Sequence, residues 1–282
     1  MGVDFGRRSS AECRAKILFR GRRLMEITMN LSYIGTLISA KNQHAVINKR
    51  PLVVGLALLT TLVLGLRAYE QFYAWNNGLD AFAPEFKVYW INLLLAAAIV
   101  EGSVLAGLVA YLWKTRDRSL DLLSPLAEFT RLNYLIQWLI VFAVALYWGL
   151  SFFSEQTAVW HMTAVRDSDF TPSNIVTFYI AYPTFVILGC GAFLYARTRI
   201  PYFANGYSLA FGILIVGVFM EIPNIGFNEW GHTAWIMDEG FAGPLHWGFV
   251  FFGWMSLAVF GVVLQMLTRI HVVMGDAVNR YR

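Results

Sequence analysis

The sequence predicts an all-α integral membrane protein, a polytopic bundle of about six transmembrane helices. The 282-residue chain is 57% hydrophobic and only 14% charged, which is too apolar for a water-soluble globule. Six apolar stretches are long enough to cross a hydrocarbon core about 30 Å thick. Basic residues concentrate on alternate connections between these stretches. The predicted spans are residues 51–68, 88–112, 133–153, 174–196, 207–223 and 243–267.

The basic residues also predict how the bundle is oriented. Nineteen of the 22 Lys and Arg lie in residues 1–50, 114–131, 197–199 and 269–282, whereas the connections on the opposite side hold nine acidic residues. The positive-inside rule therefore places both termini in the cytoplasm. We expect a basic cytoplasmic N-terminal segment (1–50), a six-helix membrane domain (51–268) and a cytoplasmic C-terminal tail (269–282).

Composition excludes several other classes of protein. The net charge of +4 does not indicate nucleic-acid binding, because the charges flank the spans instead of forming one basic surface. The N-terminal segment mixes apolar residues between its charges, so we expect it to lie on the anionic membrane lipids of the inner leaflet. The sequence has no phosphate-binding Gly loop, CxxC pair or dinucleotide fingerprint. Its two cysteines, Cys13 and Cys190, predict no disulfide.

A polar stretch, NEWGHTAWIMDEGFAGPLH, interrupts the apolar sequence before the sixth span. Asn228 and His232 are spaced i, i+4, which places them on one face of a helix, and His246 begins the last span. Two imidazoles and one amide oxygen suit an open metal site with a position left for water or substrate. Alternatively, both histidines bond backbone carbonyls at the membrane interface and Asn228 caps a helix. Three acids are placed to orient the imidazoles: Glu229, Asp238 and Glu239.

Two carboxylates fall within the predicted spans, where burying a charge costs about 3 kcal/mol on insertion scales. Glu221 precedes Asn228 by two helical turns, so a continued helix places it beneath the metal site as a proton relay, a ligand or a protonated structural acid. Glu101 lies near the middle of the second span, and we expect it to pair with a neighbouring polar group or another chain. Pro183 predicts a bend in the fourth span, because it removes a backbone hydrogen bond.

Five sequence motifs occur in order: LDAFAPEF (79–86), YLWKTRDR (111–118), VRDSDFTPS (165–173), IPNIGFNEWGH (222–232) and PLHWGF (244–249). Together they resemble the C subunit of the copper-dependent membrane monooxygenases, the family of particulate methane monooxygenase and ammonia monooxygenase. The resemblance runs from about residue 67 to 267. It implies a bacterial inner-membrane enzyme of A, B and C subunits, assembled as a trimer of such protomers. Such an enzyme uses copper, and electrons from membrane quinol, to insert one atom of O2 into methane, ammonia or a short hydrocarbon.

The resemblance implies two neighbouring copper positions near the periplasmic side. The motif of one position, an Asn and two His, is retained here in full as Asn228, His232 and His246. Glu221 stands beside it where the family is expected to have an apolar residue.

The second family position has the pattern Asp-x3-His-x12-His, which falls here on Thr157, His161 and Asn174. One carboxylate and one imidazole are missing, and copper prefers imidazole or thiolate ligands, so we expect this position to be empty or of low affinity. This departure favours a hydrocarbon-oxidising relative slightly over a methane or ammonia enzyme.

Two other functions remain open from the sequence. The chain could be a non-catalytic scaffold subunit of the same complex, with a structural polar cluster at its outer face. It could also be an ion-coupled transporter that uses Glu101 and Glu221, although it lacks the repeat symmetry and paired broken helices that transporter folds tend to show.

Overall fold

The computed structural model describes residues 47–152, 171–220 and 247–280, and the regular elements in these ranges are all helical. The all-α prediction is confirmed. Two short helical segments, Leu120–Leu122 and Pro201–Asn205, lie between the longer helices. The longer helices are α1 (Arg50–Asn77), α2 (Pro84–Lys114), α3 (Pro125–Phe152), α4 (Pro172–Arg199), α5 (Leu209–Met220) and α6 (Trp247–Arg280).

Five of these helices, α1 to α4 and α6, are long and apolar enough to cross a membrane. The chain is therefore a multi-pass membrane protein, and five of the predicted spans are confirmed. The described part of the shorter apolar helix α5, Leu209–Met220, has fewer than the roughly 20 residues that a span requires. The predicted fifth span, 207–223, continues from α5 into residues outside the described ranges.

Successive helices run in alternating directions, so their termini fall into two groups. The group that we call the lower end contains the start of α1, α3 and α5 and the end of α2, α4 and α6. The opposite termini form the upper end. Arg199 near the end of α4 donates to the Leu112 carbonyl near the end of α2 at 3.2 Å. The basic connections lie at the lower end, which the positive-inside prediction places in the cytoplasm.

Prolines shape both the starts and the interior of the helices. Pro84 and Pro172 occupy the first turn of α2 and α4. Backbone amides in the first turn have no hydrogen-bond partner within the helix, so a proline there breaks no helical hydrogen bond. Within α4, the segment Thr177–Ala181 is a π-helical turn that ends directly before the Tyr182–Pro183 pair. The departure from a regular α-helix therefore occurs where Pro183 predicts it. A second π-helical turn lies in α2 at Lys87–Ile91.

The core is formed mainly by α3, α4 and α6. In the most apolar 18-residue window of α4, 67% of residues are buried, compared with 6% in α1 and none in α2. Helix α4 is therefore central. The apolar faces of α1 and α2 point outward, where lipid or the helix of a partner can cover them. Fully buried side chains from the three core helices meet at the centre: Leu139, Phe142, Phe185, Met255 and Val262.

A polar network fastens the helices at the lower end. Arg131 of α3 forms an ion pair with Asp117 at 2.8 Å and donates to the Arg199 carbonyl at 2.6 Å. The backbone N–H of Ser119 donates to Asp117 at 2.9 Å. This backbone hydrogen bond, followed by the hydrogen bond from Arg131, holds the pKa of Asp117 below its usual value. The connection between α2 and α3 is therefore tied to the end of α4.

A bidentate ion pair joins α3 to α6. Arg269 donates through Nε and Nη2 to the two carboxylate oxygens of Glu128, at 2.8 and 2.9 Å. The side chain of Glu128 is only 6% exposed. Such fork-to-fork geometry fixes both the distance and the orientation of the two groups, so the pair fixes the axial position of α6 along α3.

We predict that Arg269→Met lowers the free energy of unfolding by about 2 kcal/mol, because it leaves the buried Glu128 carboxylate without its counter-charge. Thermal unfolding of the purified complex in detergent, followed by near-UV circular dichroism, measures the change. Arg118→Met removes an exposed cation and serves as the control. Adding Glu128→Gln to the Arg269 variant should restore part of the stability. Equal melting temperatures for the Arg269 and Arg118 variants would contradict the role of the ion pair.

Candidate metal centre

Most of the predicted metal-site residues lie outside the described ranges. His232 and His246, with Asn228, Glu221 and the three neighbouring acids, fall between α5 and α6, and Thr157 and His161 fall between α3 and α4. Asn174 alone of the predicted ligands lies in a described helix. Within the described ranges there is no group of three or more His, Cys, Asp or Glu that could hold a metal. The ligand assignments therefore stay predictions, and the flanking helices supply the geometry around them.

The helices on either side of the Asn/His/His stretch, α5 and α6, pack closely against each other in antiparallel directions. Near the lower end, Ser208 just before α5 donates from its hydroxyl to Gln265 Oε1 of α6 at 2.6 Å. Higher up, the small residues Ala210 and Gly261 meet, since a Cβ added to Gly261 would lie 3.0 Å from that of Ala210. Small residues allow helix backbones to approach closely in a membrane, where packing replaces the hydrophobic effect.

Gly217 of α5 also packs closely against α6. A Cβ at this position would lie 2.6 Å from Cγ of Met255, a side chain that is itself fully buried. Leu214 and Val218 on the same helix are also fully buried. The upper part of the α5–α6 contact is therefore dry and apolar. The stretch 221–246 leaves α5 and enters α6 at the upper end of this helix pair.

Asn174, from the incomplete second position, lies in the first turn of α4. Its backbone N–H donates to Oγ1 of Thr171 at 3.2 Å, which is an N-cap hydrogen bond. The residue is only 2% exposed. Its neighbours Ile175 and Val176 pack with Ala74 of α1 and with Trp90 of α2. Asn174 thus belongs to the upper contact of α4 with α1 and α2.

The same contact contains polar residues that the sequence did not single out. Glu70 was counted with the acids of the outer connections, but α1 continues to Asn77 and holds this carboxylate 2% exposed, 4.0 Å from Arg67. Trp90, near the start of α2, is also fully buried. The sequence does contain a signal for this longer α1: the apolar helical periodicity continues past residue 68 through Tyr69 and Tyr73.

A close backbone approach holds this upper contact together. A Cβ at Gly78, directly after α1, would overlap the ring of Pro172 at the start of α4 and would crowd the Ala74 carbonyl. Nε1 of Trp90 would also lie only 3.1 Å from such a Cβ. Glycine is therefore required at position 78 for α1 to reach α4.

Glu101 of α2 lies within hydrogen-bonding reach of Thr184 of α4. This contact agrees with the expectation that an acid inside a span pairs with a neighbouring polar group. Because Thr184 is one turn beyond the π-helical segment, the contact joins α2 to the irregular part of the central helix.

The described helices define a multi-pass, all-helical membrane protein with a polar sequence between its last two apolar helices. Residues 35–277 match the family that comprises the C subunit of ammonia monooxygenase/methane monooxygenase. Since the match covers most of the chain, the chain belongs to this family and is one component of a monooxygenase complex. The family is one of the copper membrane monooxygenases. The resemblance seen in the sequence is confirmed. A comparison with curated proteins finds no match.

We predict that Gly217→Ala destabilises the protein by about 1–2 kcal/mol, because the added methyl group overpacks the contact with Met255. Gly253→Ala on α6 is the matched control, since a Cβ at Gly253 meets no atom within 4 Å. Thermal unfolding of the two variants gives the comparison. The copper content of the Gly217 variant should also fall if the metal site depends on this helix contact. A Gly217 variant as stable as the Gly253 variant would show that α5 and α6 do not pack this closely.

Proposed function

We propose that this chain supplies a copper site to a membrane monooxygenase that uses O2 to hydroxylate a small substrate, with Asn228, His232 and His246 as the copper ligands. The observation that carries the proposal is the close antiparallel packing of α5 on α6. Met220 and Trp247, the described residues on either side of the proposed ligand stretch 221–246, lie at the upper end of this helix pair. The family match supports copper as the metal.

The register of the helix pair supports the grouping of these ligands. Gly217 faces Met255. In the sequence, Gly226 comes nine residues after Gly217, and His246 comes nine residues before Met255. If the same register continued upward, His246 would lie opposite Gly226, which precedes Asn228 by two residues. His232 follows one helical turn later, on the same face as Asn228.

The residue types suit copper chemistry in a dry site. Neutral imidazole nitrogens and an amide oxygen leave a coordination position open, at which bound copper would supply the activation of O2. The buried apolar side chains of Leu214, Val218 and Met255 exclude water from the helix contact below the site. Copper binding requires both imidazoles to be neutral, so protons compete with copper for the ring nitrogens and binding weakens at low pH.

Acidic residues complete the proposed centre. Glu229, Asp238 and Glu239 are proposed to accept hydrogen bonds from the imidazoles and to orient them. Glu221 directly follows α5 and is proposed as a proton relay or a protonated structural acid beneath the site.

We propose that the second position binds copper weakly or not at all. It would offer one imidazole from His161, the hydroxyl of Thr157 and the amide of Asn174. Asn174 is buried in the contact of α4 with α1 and α2, and neither it nor Thr157 supplies the imidazole or the carboxylate that the family pattern has at these positions. The remaining site then carries the reaction. The substrate is methane, ammonia or, as the altered ligand set favours, a short hydrocarbon.

The complex is proposed to contain A and B subunits together with the present chain, in a trimer of such protomers supplied with electrons by membrane quinol. The lower end, with its basic connections, faces the cytoplasm of a bacterial inner membrane, and the copper site faces the periplasm. The outward apolar faces of α1 and α2 also favour a second role, as a scaffold that packs against the other subunits.

We predict that His232→Ala or His246→Ala lowers the copper occupancy of the site at least about tenfold, because each change removes a direct ligand. Elemental analysis of the purified complex measures copper, and product formation measures activity. His271→Ala, at an exposed position near the lower end of α6, is the control and should change neither. Unchanged copper and unchanged product in both site variants would refute the assignment.

We predict that the double variant Thr157→Asp, Asn174→His gains copper, because it restores the carboxylate and the imidazole that the second position lacks. The single variant Asn174→His should gain much less, and its melting temperature reports whether the buried contact tolerates the larger ring. Copper per complex, measured by elemental analysis, distinguishes the variants. A double variant that folds normally and binds no more copper than the wild type would show that these residues do not converge.

A further inference from the structure

The motif YLWKTRDR (111–118) takes no part in the proposed copper site, yet its basic residues are held in a defined arrangement at the lower end of α2. Arg116 donates from Nη1 to the Trp113 carbonyl at 3.0 Å. Its guanidinium carbon also lies 4.8 Å from the centre of the Trp113 ring. This cation–π contact holds the charge against its own helix. The guanidinium is therefore ordered before any ligand binds.

A second helix brings another cation to the same place. Arg199, the last residue of α4, donates from Nη2 to the Thr115 hydroxyl and from Nη1 to the Leu112 carbonyl. Thr115 stands between Lys114 and Arg116 in the chain, so three cations surround the end of α2. We call Lys114, Arg116 and Arg199 the basic cluster.

The charge of the basic cluster is not balanced by the described residues. None of its three members forms an ion pair with a described carboxylate. The neighbouring acid, Asp117, is paired with Arg131 at 2.8 Å. Carbonyl and hydroxyl oxygens accept hydrogen bonds from Arg116 and Arg199, but these neutral groups do not cancel the positive charges. Because Lys114 is exposed, its ammonium group is open to an anion.

The position of the basic cluster indicates which anion is available to it. Tyr111 and Trp113, just before the cluster, are 63% and 57% exposed, as in the aromatic belts at the headgroup level of a membrane. In the most apolar window of α2, no residue is buried by the described helices. Lys114 ends this span, so its ammonium and the guanidinium of Arg116 lie where the hydrocarbon core meets the lipid phosphates.

We propose that the basic cluster binds the phosphate of an anionic phospholipid, whose acyl chains lie along the outward apolar face of α2. Basic residues between transmembrane helices are known to bind such headgroups. Lys114 and Arg116 donate to the phosphate oxygens, and Arg199 adds its charge from α4. A zwitterionic lipid binds less well, because its own cation competes with the cluster for the phosphate. The site lies at the opposite end of the helices from the proposed copper site and does not depend on it.

Photolabelling of the intact complex in phosphatidylcholine nanodiscs tests this site. One probe is phosphatidylglycerol with a diazirine on its acyl chain close to the glycerol, and the second is phosphatidylcholine with the same labelled chain. Peptides are produced with pepsin and quantified by mass spectrometry. The phosphatidylglycerol probe should label the lower part of α2 at least about fivefold more than the phosphatidylcholine probe. This excess should decrease as salt is added, because counterions screen exposed charges.

Two double variants with the same change in charge separate a defined site from general attraction. Lys114→Gln with Arg116→Gln should reduce the excess on α2 at least about fivefold, because each cation near a membrane surface contributes about that factor. Lys49→Gln with Arg50→Gln is the matched control, since it removes two exposed cations at the lower end of α1. It should leave the labelling of α2 unchanged. Equal melting temperatures of the two variants show that the comparison is not affected by unfolding.

Equal labelling of wild-type α2 by the two probes would overturn the proposal, as would an excess that persists in the Lys114 and Arg116 variant. Absence of label from both probes would also overturn it and would show that an acidic surface of a partner subunit covers this end of α2. An equal loss of labelling in the two double variants would show that general surface charge, and not the basic cluster, attracts the lipid.

Discussion

The bidentate ion pair between Glu128 and Arg269 determines where α6 lies in the bundle. Helices in lipid gain nothing from hiding apolar surface from one another, so specific packing and polar contacts must fix their positions. This pair fixes α6 against α3, and the bond from Ser208 to Gln265 fixes the start of α5 against α6. Both contacts lie toward the lower end, about 30 Å of helix below Trp247. The polar chemistry proposed at the upper end therefore depends on rigid helices that are fastened at the opposite side of the membrane.

The sequence was sufficient for the class of protein and for most of the helices. Long apolar runs account for α2, α3 and α4, since a helix satisfies its own backbone in lipid. The predicted end of α1 at residue 68 was too early because Arg67 and Glu70 resembled a polar boundary, whereas the helix continues to Asn77 and buries the carboxylate. Charged residues that pair within one helix lower the local hydropathy, so the apolar pattern stops although the helix continues.

The surroundings of the candidate site were less predictable from the sequence. The spacing of Asn228 and His232 indicates a shared face, and the family resemblance indicates copper, but neither shows which helices pack together. The α5–α6 contact depends on Gly217, Ala210 and Gly261, whose importance is visible only when the opposite helix is present. Similarly, the burial of Asn174 at the contact of α4 with α1 and α2 follows from tertiary packing between three helices and has no local signature.

The π-helical turn at Thr177–Ala181 has a consequence for how the chain can change. Such a turn holds one residue more than an α-helical turn but covers about the same rotation around the axis, because its hydrogen bonds join residues five apart and not four. Loss of a single residue from this turn would therefore leave a regular α-helical turn, with the helix on either side facing nearly as before. Asn174 and the capping Thr171 would keep their neighbours, and the buried lower part of α4 would keep its packing. An evolutionary deletion here could thus shorten the central helix without changing which residues it buries.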